Sequence, residues 1–114
     1  MIDFACKQFD LRDIIKCSLG LTRSDIQVFD HLLAHKGSRS SEEIAGKLKL
    51  DLSTVQRAVK KLHEKGLLVR MQTNLDGGGY VFAYRVQEKR AIRKIILDIV
   101  AKWTGRVEQE LESW

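Results

Sequence analysis

Proline is absent from the 114-residue chain, cysteine occurs twice, and no apolar run approaches the roughly 18 residues that a membrane span requires. Without proline the fold is expected to use long uninterrupted elements rather than Pro-punctuated loops. Cys6 and Cys17 lack the CxxC spacing of zinc or thioredoxin-like sites and read as small, partly buried packing thiols, with a redox- or ligand-sensing pair as the alternative. Neither an Arg-rich transit segment nor a signal-peptide core opens the chain, because Met1 to Asp10 interleaves charge with apolar residues. A cytoplasmic, soluble protein with no membrane partner is the expectation. At this length a compact fold buries only somewhat over roughly 60% of its unfolded surface, so one small core is the limit.

Catalytic signatures are missing as well. No glycine-rich phosphate loop follows a strand, no serine-centred elbow appears, and no paired-carboxylate motif is visible. Gly77 to Gly79 joins two strand patterns rather than opening a helix. His31 and His35 are one helical turn apart, a spacing that suits a metal, but no third ligand stands at a matching distance. The chain is therefore read as no enzyme, with no metal and no cofactor.

What is present is a localised charge imbalance. Between Lys47 and Arg70 lie seven basic residues and two acidic ones, a surplus equal to the +5 of the entire protein. A positive patch confined to one supersecondary unit is the electrostatic footprint of a nucleic-acid reader. Local signals around it give the elements. Phe9 to Leu19 has apolar residues at near-helical spacing, and Gly20 ends it. Thr22 with Asp25 forms a capping box opening a helix with an inward stripe of Ile26, Phe29, Leu32 and Leu33, closed by Gly37. Ser40 with Glu43 forms a second box before Ile44, Ala45 and Leu48. Lys49, Leu50 and Asp51 make a turn, and Ser53 with Gln56 predicts a third box opening a helix with Val55, Val59 and Leu62 inward and Gly66 as its stop.

From Leu67 the period changes to two. Leu67 to Gln72 and Tyr80 to Val86 read as paired strands around the glycine-rich tip Asn74 to Gly79, a wing beside the helix pair. The tail from Gln87 to Trp114 reads as one long helix with Ile92, Ile96, Ile99, Trp103, Val107, Leu111 and Trp114 on one stripe. Its roughly 28 residues reach about 40 Å at 1.5 Å each, further than a small core covers, which predicts a homodimer through this helix. The fold class is thus mainly α with a small β-hairpin: a winged helix-turn-helix with its N-terminal helix over residues 1–86, and a C-terminal dimerisation helix over 87–114.

Leu19-Gly20-Leu21-Thr22, Glu43-Ile44-Ala45, Leu52 to Arg57 (LSTVQR) and Leu62 to Leu67 (LHEKGL) resemble the TrmB-like winged-helix regulators of archaea, with MarR-type regulators the close second. The resemblance spans roughly residues 19–86 and implies a dimeric, sequence-specific transcriptional regulator acting on double-stranded DNA. It matches Ser53, Thr54, Gln56 and Arg57 to the start of a recognition helix covering about 53–65. Longer TrmB members carry a C-terminal sugar-binding domain; this chain ends after one helix and is expected to lack that effector domain. Lys49 stands where the family commonly has glycine, and the wing tip offers Asp76 where a basic residue would suit phosphate.

A helix in the major groove presents its N-terminal side chains to base edges. With Val55, Val59 and Leu62 inward, Ser53, Thr54, Gln56, Arg57, Lys60 and Lys61 face outward. Arg57 is the candidate for guanine and Gln56 for adenine, although Gln56 completing a cap is the alternative. Lys60 and Lys61 suit phosphates, or else form a solvated face. Arg70 and Arg85 on the wing strands reach phosphate or the minor groove, and Ser40 and Ser41 place a helix N-terminus at the backbone. The competing reading is a winged-helix module that binds protein within a larger assembly. The concentration of charge on and around the helix that begins near Ser53 favours DNA, since a protein-docking surface has no need of it.

Overall fold

A computed structural model describes all residues 1–114. Ten elements follow in order: β1 (Ile2–Phe4), β2 (Lys7–Phe9), α1 (Leu11–Leu19), α2 (Arg23–Ala34), β3 (Arg39–Ser40), α3 (Ser41–Leu48), α4 (Leu52–Glu64), β4 (Leu68–Asn74), β5 (Tyr80–Val86) and α5 (Lys89–Glu112). They form two compact units, one of Met1–Gly20 with Lys89–Trp114 and one of Leu21–Glu88. The N-terminal helix therefore groups with the C-terminal helix, and the winged-helix unit is the stretch of sequence that separates them. The 1–86 grouping read from the sequence is corrected in this respect: α1 packs on α5, a long-range contact that local periodicity does not encode.

In the first unit, β1 and β2 form an antiparallel hairpin in the register Ile2↔Phe9. Asp10 caps α1 by accepting the Asp13 amide at 2.8 Å, and Gly20 in the left-handed region ends it. The helix starts two residues later than Phe9, because Phe9 is taken by the hairpin. Both cysteines are exposed rather than partly buried: Cys6 lies in the hairpin turn and Cys17 on α1, on different elements.

The second unit holds the principal core. Both capping boxes at its helix starts form, Thr22 with Asp25 and Ser40 with Glu43. The buried residues of α2 include Ile26, Val28, Phe29 and Leu32; Leu33 lies on the same arc but is exposed, in the last turn before the helix ends at Ala34. That helix ends at Ala34 with an extended His35, before Gly37. Val55, Ala58, Val59 and Leu62 of α4 are all buried at i, i+3, i+4 and i+7, each large side chain contributing about 1.5–3 kcal/mol relative to exposure. The close of α4 is a Schellman motif: the Gly66 amide donates to the His63 carbonyl and the Leu67 amide to the Leu62 carbonyl, both at 3.0 Å. Gly66 adopts φ 82°, which a β-carbon would strain, and Leu62 and Leu67 are both buried.

The third box does not form. Asp51 is the N-cap of α4, without a side-chain capping bond, and its carbonyl accepts the Val55 amide at 3.1 Å. The helix thus begins at Leu52, and Ser53 lies in its first turn. The register of the buried stripe fixes the start, overriding the local preference of Ser53. The sheet has the order β3-β5-β4, with Arg39↔Tyr84 and Ser40↔Ala83 on one side of β5 and Leu68↔Val86 through Asn74↔Tyr80 on the other. At the wing tip, Gly78 and Gly79 take φ 94° and 80°, which explains glycine at both positions.

Candidate nucleic-acid interface

The outward face of α4 is set by its inward one. Ser53, Gln56, Arg57 and Lys60 are exposed and Thr54 is half-buried. Because the cap is at Asp51, Gln56 has no capping role and its side chain lies on the open face. The Arg57 guanidinium donates to Thr54 Oγ1 at 3.5 Å, one turn earlier on the same side. Together these place amide, hydroxyl and guanidinium donors along the first two turns, followed by the ammonium of Lys60.

Lys61 belongs elsewhere. Its Nζ lies 2.9 Å from Asp25 Oδ2, and Asp25 is the only buried charged residue in the core. That carboxylate also accepts the Thr22 amide at 2.9 Å within the capping box. Burial pushes the Asp25 carboxyl up, but the bonds from Thr22 and Lys61 outweigh it and hold the group below its ordinary value. The expected outward Lys61 is thus corrected: it joins α4 to the first turn of α2. The partner lies far away in sequence, so the helical wheel could not show it.

Ser40 and Ser41 are half-buried at the start of α3. The Ser40 hydroxyl accepts the Glu43 amide at 3.2 Å, and the Ser40 amide donates to Glu43 Oε1 at 3.2 Å. The turn after α3 depends on Lys49, the one non-glycine residue with positive φ, at 56°.

Arg70 and Arg85 are both exposed but lie on opposite faces of the wing, since Arg70 pairs with Tyr84 and Arg85 with Val69. The Arg70 guanidinium stands 4.3 Å over the Phe82 ring, whose other neighbour is Tyr80 at 5.1 Å. Phe82, Tyr80 and Tyr84 line a recess of about 210 Å³ with Ser41 and Gln56. Sequence reading passed over Phe82 and Tyr80; their alternation with Tyr84 was the available signal.

His31 and His35 lie against each other with ring centroids 4.4 Å apart and planes tilted by 53°, and no third metal-ligating side chain joins them. Burial holds the His31 imidazole below its ordinary value, helped by the positive charges of His35, Arg39 and Lys47.

In the other unit, Ile92 of the α5 stripe is buried, and Ile96 and Ile99 are half-buried. Trp103 (60% exposed), Val107, Leu111 and Trp114 (99% exposed) remain open. An apolar recess of about 420 Å³ is lined by Ile2, Phe4 and Phe9 of the hairpin, Ile14 of α1, and Ile99 and Trp103 of α5. No helix is long and apolar enough to cross a membrane.

Residues 19–77, more than half of the chain, match the family model described as the MarR family. The chain is 51% identical to a possible transcriptional regulator from Methanosarcina mazei Go1, with TM-score 0.92, covering 100% of this chain and 96% of that one. It is 28% identical to the ST1889 protein of Sulfolobus tokodaii, with TM-score 0.71 and coverage of 84% and 93%. It is also 31% identical over 108 residues to the uncharacterized protein MJ1503 of Methanocaldococcus jannaschii, covering 95% of this chain and 81% of that protein. The match falls on the second of the two families that the motifs resemble.

Proposed function

The chain belongs to the MarR family, and we propose that it is a sequence-specific DNA-binding transcriptional regulator acting as a homodimer on a palindromic operator. The observation that carries this reading is the open face of α4, where Ser53, Gln56, Arg57 and Lys60 stand exposed opposite a fully buried stripe. A helix of this kind enters the major groove by its N-terminal turns, which carry the base-reading groups; Lys60 follows at the phosphates. Arg57 reads guanine and Gln56 adenine, Ser40 and Ser41 bring the α3 N-terminus to the backbone, and Arg70 supplies the wing contact.

The homodimer reading rests on the open stretch of α5. Trp103, Leu111 and Trp114 leave large apolar surfaces in water, each Å² of which contributes roughly 25 cal/mol when buried. A second copy of the same helix covers the same stripe, and two-fold symmetry then matches two half-sites about one DNA turn apart. The protein has no catalytic step in this reading and acts in the cytoplasm.

Selection from a random duplex pool, combined with light scattering, tests both parts. A palindromic enriched motif and a dimeric mass are expected. Ile99→Asp with Trp103→Asp should give a monomer with much weaker operator binding. No enrichment above background, with the outward face of α4 retaining a protein instead, would establish the protein-docking alternative. A monomeric intact chain at micromolar concentration would remove the role assigned to α5.

A further inference from the structure

The wing presents two arginines, and one of them is held in place. Residues directly opposite in an antiparallel ladder share a face, so the pairs Arg70↔Tyr84 and Gln72↔Phe82 put Arg70, Phe82 and Tyr84 on the same side of the hairpin. Phe82 and Tyr84 line the recess that also contains Ser41, Glu42 and Gln56. This is therefore the side turned toward α3 and α4; Glu42 lines the recess there, and Arg39 of β3, directly opposite Tyr84, shares this face with its guanidinium 3.5 Å from the Glu43 carboxylate. Arg85 stands on the opposite side. Between Met71 and Tyr84 the hairpin has no basic residue, and its tip carries Asp76. Arg70 is thus the cation that the wing offers on its helix-facing side, and its guanidinium carbon sits 4.3 Å over the Phe82 ring.

We propose that Phe82 is a positioning residue for DNA binding: its ring holds the Arg70 guanidinium on the helix-facing side, so that the wing meets the duplex backbone through the middle of β4 instead of through its glycine tip. This rests on the DNA-binding reading above. An unrestrained arginine loses rotamer freedom when it meets a phosphate, whereas one already lying over a ring has surrendered much of it and keeps N–H donors at its edge. Tyr80 packs on the Phe82 ring as well, with centroids 5.1 Å apart.

The test measures affinity of the full-length chain for a labelled random-sequence duplex at low salt. The variants are Phe82→Leu, Phe82→Tyr, Arg70→Ala and the double variant Phe82→Leu with Arg70→Ala. Cation–π contacts at exposed sites correspond to about two- to fivefold in affinity. Phe82→Leu is expected to weaken binding by that factor when Arg70 is present and by nothing when Arg70 is absent. Phe82→Tyr keeps the ring and should bind like the wild type, a readout that survives even where the leucine variant folds poorly. Equal losses in both backgrounds, no loss at all, or a tyrosine variant as weak as the leucine variant would each overturn the role of Phe82. A wild-type chain that binds no duplex would overturn the reading beneath it instead.

Discussion

Replacing Lys61 with methionine separates a structural cation from Lys60, the one proposed to contact DNA on the same helix. Methionine keeps the length and apolar stem of the side chain but removes the ammonium 2.9 Å from Asp25 Oδ2. Asp25 is 5% exposed and keeps the Thr22 amide as a partner, so it is not stripped of hydrogen bonds. A hydrogen bond to a charged group contributes about 1.5–3 kcal/mol. The roughly 3–5 kcal/mol seen for fully buried pairs is an upper bound that does not apply, because the Lys61 side chain is 35% exposed and water already screens it. A loss of about 2 kcal/mol follows, which for a small domain lowers Tm by roughly 8 °C. Urea or thermal denaturation reads this directly. Salt titration of DNA binding supplies the contrast: each phosphate contact contributes about 0.9 to the slope of log affinity against log salt. Lys60→Met should reduce that slope by about one contact per protomer, and Lys61→Met should leave it unchanged. A Lys61→Met variant with wild-type stability and a reduced salt slope would refute the assignment of Lys61 to the Asp25 pair.

Arg57→Ala should cost about 1–3 kcal/mol of binding to a selected site while leaving random DNA less affected, compared by titration on both; equal losses would make it a phosphate contact. Lys49→Gly should raise stability by about 1 kcal/mol in chemical denaturation, because it relieves a left-handed backbone at φ 56°. The Asp25 carboxyl is held below its ordinary value of 3.8, so the stability it contributes is fully present above about pH 3.8 and is lost as pH falls through the lower folded value. Acid unfolding should accordingly steepen below that pH in the wild type and flatten in Asp25→Asn, measured by circular dichroism.

The parts of this molecule that local chemistry dictates were legible in the sequence. Thr22 with Asp25 and Ser40 with Glu43 formed their boxes, Val55, Val59 and Leu62 turned inward, and Gly66 ended α4. The features that escaped are those decided by distant partners. Ser53 has the composition of a cap, but the core register places the helix start at Leu52. Lys61 looks outward on a wheel until the start of α2 is set beside it. The β1–β2 hairpin and the two-residue β3 are shorter than the alternation that identifies a strand. At the site, residue type and spacing brought Gln56, Arg57 and Lys60 to one open face, whereas the separation of Arg70 from Arg85 needed the strand register.

Ser40 takes part in two hydrogen-bonding systems at once. It caps α3 through the Glu43 amide, and it is the last residue of β3, opposite Ala83 in the wing. One residue is therefore a rivet between the helix-turn-helix and the strand that carries the wing. A fluctuation that peels β3 from β5 also disturbs the capped turn of α3, so the two should open as a single cooperative unit rather than as a loose flap beside a rigid body. Amide hydrogen exchange at Glu43 and at the β3-facing positions of β5 would then proceed with a common opening free energy. The wing would reach DNA already in register with the helices rather than searching for its place after contact.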